Sequence, residues 1–235
     1  RRFMGRISVF FVSCLFITIS GLAQHHIGAG GGYNQSIYYT SISKSQYYYV
    51  FRPKDSYLVN LSYKMDIPVK KENMRVGTQL EWKRQSAYFY YNDLKNGDTI
   101  PTGMNYDIHI LQWYVFPELV IGHPIRLIFS GGPVVEYIIY SNAHGIRLID
   151  EKRTEVEKES NNGDIKGLYV GAKLSLGLEF PVYKNFYISL QNSYSAGLSS
   201  KGGRLKDSFN YFNCLDINLT ASLFYRFNNN KIIIK

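Results

Sequence analysis

The chain has 235 residues and a formal charge of +9, with 21 Tyr, 14 Phe, 20 Gly, 7 Pro and 2 Cys. No apolar run reaches the roughly 18 to 20 residues of a membrane helix, which excludes a helical membrane protein. Two cysteines exclude a disulfide scaffold, and the charge is mild for a nucleic-acid binder.

Residues 1–23 read as a separate unit. Arg1, Arg2 and Arg6 make a basic start, Ile7 to Ile19 is nearly all apolar, and Gly21-Leu22-Ala23 offers small residues before a cut. That is the build of a secretory signal peptide, leaving 24–235 as one domain. The remainder carries +6 and no internal disulfide, because Cys214 is then alone and reads as a small buried residue. A modestly basic exported chain suits anionic lipid headgroups and lipopolysaccharide, and nucleic acid is not an expected partner. His25 and His26 would follow the cut closely. A free amine with such histidines can hold Cu(II), but Gln24 would cyclise and remove the amine, so no metal or other cofactor is expected.

From Gln24 onward the pattern is extended rather than helical. The first strand, 26–39, is Gly-rich and then Tyr-rich. After a polar loop, 40–55, that holds Tyr47-Tyr48-Tyr49, the strand 56–67 alternates. Tyr57, Val59, Leu61, Tyr63, Met65 and Ile67 oppose Leu58, Asn60, Ser62, Lys64 and Asp66. The third strand sets Met74, Val76, Thr78, Leu80 and Trp82 against Arg75, Gly77, Gln79, Glu81 and Lys83, and runs on through Tyr91. Residues 92–103, with Asn96-Gly97-Asp98 and Pro101, read as a longer loop. The fourth strand, 104–121, loses its alternation near Leu111, the mark of a bulge or of a weak period. The fifth, 125–141, groups Arg126, Ser130, Gly132 and Glu136. Residues 142–164 are the most charged part of the chain and read as a solvated loop. The sixth strand, 165–180, alternates best, with Lys173 and Glu179 on its wet face. The seventh, 186–198, opposes Phe186, Ile188, Leu190, Tyr194 and Leu198 to serines and Gln191. A polar loop, 199–212, leads to the last strand. There Leu215, Ile217, Leu219, Ala221, Leu223, Tyr225 and Phe227 oppose Asp216, Asn218, Thr220, Ser222, Phe224 and Arg226.

Two regularities assemble these segments. Connections alternate short and long, the asymmetry of outer-membrane barrels with tight periplasmic turns and long external loops. The wet faces carry ions of both signs: Lys64, Asp66, Arg75, Glu81, Lys83, Arg126, Glu136, Lys173, Glu179, Asp216 and Arg226. Eight strands enclose a space that side chains fill, and ions there must pair. The reading is an all-β, eight-stranded antiparallel up-and-down transmembrane β-barrel of the bacterial outer membrane, its lumen an ionic plug. The soluble rival, a lipocalin-like barrel with its apolar face inward, sits poorly with an ionic inner face.

The chain resembles the PorT-like outer-membrane β-barrel proteins of Bacteroidetes. The likeness lies in Gly21-Leu22-Ala23-Gln24, in the Gly-rich run Ile27 to Gly32, and in the segment 115–139 with Pro117 and Gly131-Gly132-Pro133. The closing Leu223, Tyr225 and Phe227 are similar to the C-terminal signal read by the barrel-insertion machinery. The tail Asn228 to Lys235 departs from the family pattern. The resemblance implies a non-enzymatic barrel, some of whose relatives serve type IX secretion and gliding.

Chemistry is sparse. Asp107-x-His109 puts an acid and a histidine on one strand face, as outer-membrane proteases do, but no facing carboxylate pair accompanies it. No nucleophile elbow and no metal motif occurs. The expected role is structural, adhesive or secretion- and gliding-accessory, acting through external loops on an envelope partner. A narrow pore or carrier is the alternative, and a barrel-mouth hydrolase centred on Asp107 and His109 is the remote one.

Overall fold

The computed structural model describes residues 23–42, 47–68, 73–95, 98–149, 152–160, 167–198 and 209–227. The expected signal peptide (residues 1–22 of it) and the tail from Asn228 lie outside them. The elements are β1 (His25–Ile42), β2 (Tyr47–Lys54), β3 (Ser56–Pro68), β4 (Asn73–Lys95), β5 (Asp98–Ile121), β6 (Arg126–Ile149), β7 (Lys152–Ser160), β8 (Leu168–Tyr183), β9 (Phe186–Gly197) and β10 (Phe209–Phe227).

Eight of these close into an antiparallel barrel. β1 pairs β3, then β4, β5, β6, β8, β9 and β10 follow in order, and β10 returns to β1. Closure leaves no sheet edge within the apolar zone, the one arrangement in which strands can cross lipid. The period-two pattern becomes two surfaces. Lys64, Glu81, Lys83, Lys173, Glu179, Asp216 and Asn218 are buried inside, while Val59, Leu61, Leu80, Leu174, Leu176, Leu219 and Leu223 stand exposed outside.

Two glycines make seats for aromatic rings in this wall. A Cβ on Gly28 would overlap the Phe224 ring, and one on Gly77 would lie 2.5 Å from Phe116. Each glycine is the direct cross-strand partner of the ring that covers it.

The structure corrects two readings of the chain. The stretches 40–55, 92–103 and 142–164 are largely strand rather than loop: β1 runs to Ile42 and β2 pairs β4 from Tyr47 to Lys54, β4 and β5 stay paired out to Lys95 and Asp98, and β6 continues to Ile149 against β7. With β2 on β4, the wall rises on one side into a sheet of order β2–β4–β5–β6–β7. The second correction concerns β5, which keeps its phase from Asp107 to Ile121. The register slip between His109 and Ile110 is taken up by an extra residue on β6, at Ile139.

Candidate functional site

The lumen is the place where the chain concentrates chemistry. Its layer nearest the short turns is built on β3, β4, β5 and β8. Lys64 Nζ donates to Glu118 at 2.7 Å and to Glu179 at 3.3 Å. Arg75 donates through Nη1 to Glu118 at 3.1 Å and Glu179 at 2.8 Å, and through Nε to Asp66 at 2.9 Å. Arg126 reaches Glu179 at 3.1 Å. Tyr187 and Phe224 stack beneath these ions, their rings 5.1 Å apart and nearly parallel, with Lys64 over Phe224 and both arginines over Tyr187.

A second layer lies toward the long hairpins. Lys173 donates to Glu81 at 3.0 Å and to Gln112 at 3.4 Å. Lys83 bridges Glu136 and Asp216, and Gln85 donates to both oxygens of Asp216 at 2.7 and 2.8 Å. Ser36 adds a further bond to Asp216 at 2.6 Å. Above this layer Ile108, Ile110, Ile138, Tyr169 and Cys214 pack as an apolar cluster over the ions. Ions taken out of water this completely persist because each has an opposite charge and hydrogen bonds at hand.

The structure brings together Lys64, Asp66, Arg75, Arg126 and Glu179 in one layer and Glu81, Lys83, Glu136, Lys173 and Asp216 in the other. Arg226 joins neither: it is partly exposed at the short-turn end, and its Nε has no hydrogen-bond partner among the described residues. Sequence reasoning missed Glu118, Gln85, Gln112, Tyr187 and His26. His26 is fully buried, with Nε2 3.0 Å from Asp66 and Nδ1 3.1 Å from the Tyr187 hydroxyl, so both ring nitrogens are engaged. Among the described residues no three His, Cys, Asp or Glu side chains converge as a metal site. Leu223, Tyr225 and Phe227 all face outward near the short-turn end.

Asp107 and His109 lie on the outer face, not at the lumen mouth. Arg84 clamps Asp107 with two bonds of 2.7 Å, Ser86 adds a third at 3.2 Å, and His109 Nε2 is 4.0 Å away, packed against Trp82 and Tyr140. The inward partners along β5 are instead Ile108, Ile110 and Gln112, which explains the reversal. Burial raises the Asp107 carboxyl, but the Arg84 hydrogen bonds and charge more than offset it and hold the group below its ordinary value.

The outer face fixes the setting. On β5 the lipid-facing run from Leu111 to Ile121 spans about 25 Å along the barrel axis at a usual strand tilt, the height of a membrane barrel's apolar band. Tyr33, Tyr57, Trp82 and Tyr194 ring its hairpin side and Tyr63, Phe186, Tyr225 and Phe227 its short-turn side. Arg84 and Asp107 stand beyond this band. An apolar wall of that height, closed on itself around an ionic filling, makes the chain an outer-membrane β-barrel.

No protein-family model matches the chain, and no curated protein does. Solved structures match in fold. Neisserial surface protein A has 10% identity over 86% of this chain and 97% of its own, with a TM-score of 0.44. Ail, the attachment invasion locus protein of Yersinia pestis, has 14% identity over 87% and 99%, with a TM-score of 0.44. OprG from Pseudomonas aeruginosa has 11% identity over 89% and 99%, with a TM-score of 0.40. At these identities the likeness is one of architecture.

Proposed function

We propose that this chain is a non-enzymatic outer-membrane barrel whose interior is a plug and whose working surface is the sheet raised beyond the membrane. The observation that carries the reading is the two-layer ionic filling, with Arg75, Lys83, Glu81 and Glu179 buried and paired across the lumen. A conduit needs a wetted path, and these side chains occupy it. What remains for interaction is the extended sheet β2–β4–β5–β6–β7, which suits an adhesive, structural or secretion- and gliding-accessory role toward an envelope partner. Lipid and lipopolysaccharide surround the wall, and the insertion machinery reads the outward Leu223, Tyr225 and Phe227. The PorT-like likeness of residues 27–32 and 115–139 belongs to this reading. Asp107, tied to Arg84 on the outer face, makes a poor base for a barrel-mouth hydrolase.

The test is electrical and then structural. Purified protein in planar bilayers gives no steady channel currents on this reading; reproducible conductance would establish the pore instead. Shortening the β4–β5 and β6–β7 hairpins should leave heat-modifiable gel mobility intact and abolish co-purification of envelope partners from native membranes.

A further inference from the structure

The lipid-facing wall has one anomaly. β9 presents Phe186, Ile188, Leu190, Asn192, Tyr194 and Ala196 outward, so a carboxamide sits within the apolar band. Its cross-strand neighbours are Leu219 on β10 and Leu176 on β8, both exposed to lipid. Among the described residues its side-chain amide makes no hydrogen bond. The comparison within the same wall is Thr78, an outward polar side chain of the band on β4, whose hydroxyl accepts from Trp113 Nε1 at 2.7 Å. Hydrocarbon offers neither donor nor acceptor, so an amide left alone there is costly.

Beside Asn192 the wall is shallow. Ala221 on β10 lies opposite Gly31 on β1, with Ala29 next along the strand. Gly31 differs from its neighbours in kind. A Cβ at Gly28, Gly30 or Gly32 would overlap atoms of β10, whereas at Gly31 the nearest atom would be Leu58 O at 3.1 Å. Crowding within the barrel thus demands the first three glycines far more than the fourth, and Gly31 leaves an outward notch. Small outward residues let a second backbone approach closely.

We infer that the β9–β10–β1 wall is the interface of a symmetric homodimer within the membrane, closed across Asn192. A second copy is the occupant because a carboxamide is its own complement. About a twofold axis, Nδ2 of one Asn192 donates to Oδ1 of the other and the reverse, so both groups are satisfied in an isologous contact. A lipid tail supplies neither half of that pair, and the notch at Gly31 and Ala221 admits the neighbouring wall.

Sedimentation equilibrium in detergent, with heat-modifiable mobility confirming that each variant folds, tests this directly. The native protein dimerises, Asn192→Leu associates about tenfold more weakly, and Asn192→Gln retains most of the association. In native membranes and a Cys214→Ser background, Asn192→Cys cross-links to a second copy on oxidation. Leu80→Cys, on β4 four strands away in either direction, does not. A native protein that stays monomeric throughout overturns the inference. So does an Asn192→Leu variant that associates as tightly as native, or a cross-link to a different protein.

Discussion

Two arginines nine residues apart on β4 occupy opposite surfaces of the barrel. Arg75 points into the lumen with 3% of its side chain exposed and touches Asp66, Glu118 and Glu179. Arg84 points outward above the lipid with 38% exposed and, among the described residues, holds one carboxylate, Asp107, in better bidentate geometry than any single contact of Arg75. Contact distance would rank Arg84 first. Solvent reverses the order, because water screens the outer pair, while in the lumen the loss of one partner strands charges with nothing to replace it.

The largest expected effect follows from that contrast. Arg75→Met leaves Glu118 and Glu179 buried with less compensation and should cost about 3–5 kcal/mol, measured as urea unfolding of the barrel from lipid vesicles. A cost no greater than that of Arg84→Met would mean the lumen is wet, and the comparison would fail. The next prediction separates pairing from burial. Lys173→Met alone strands Glu81 and should cost about 3 kcal/mol, whereas Lys173→Met with Glu81→Leu should return to within about 1 kcal/mol of native. If the double variant is as unstable as the single one, the ions contribute more than mutual neutralisation.

The same contrast explains what the sequence made legible. Where one face meets lipid and the other meets ions, the period of two is sharp, and Leu168 to Phe180 or Leu215 to Phe227 can be read by eye. β5 hides its lining because Ile108, Ile110, Tyr114, Phe116 and Val120 also face inward, making both faces apolar and concealing Glu118. A lone carboxylate in the run from Trp113 to Ile121 was the available signal, since an ion in such a stretch must have a partner. The raised sheet hid for the opposite reason. Beyond the lipid neither face has to be apolar, so 92–95, 98–103, 142–149 and 152–160 lose the alternation while keeping the ladder. His26 and Tyr187 were unreadable because their roles rest on contacts with residues distant in the chain, Asp66 and each other.

A middle-sized effect probes the wall between the two arginines. Gly77→Val drives two methyl groups into the Phe116 ring, which stacks on Tyr114 at 4.5 Å between centroids. Displacing that stack should cost about 1–3 kcal/mol. Phe116→Ala in the same background should recover part of the loss if ring overlap is the cause.

The smallest effect belongs to the outer pair, where the sign with pH is the sharper test. Arg84→Ala should change stability by only about 0.2–1 kcal/mol at neutral pH. The Asp107 carboxyl sits below its ordinary value of 3.8 in the folded protein, so the pair's contribution is fully present above that value. It fades as pH falls through the lower folded-state value, once the carboxylate takes up its proton. Unfolding curves of native and Arg84→Ala protein should therefore differ slightly at pH 7 and converge in strong acid. Raising salt to 1 M should narrow the gap at pH 7 as well, because this pair, unlike Arg75 and its carboxylates, faces the solution. A gap that survives both treatments would place Asp107 in a drier setting than its exposure indicates, and the two surfaces of β4 would no longer differ in kind.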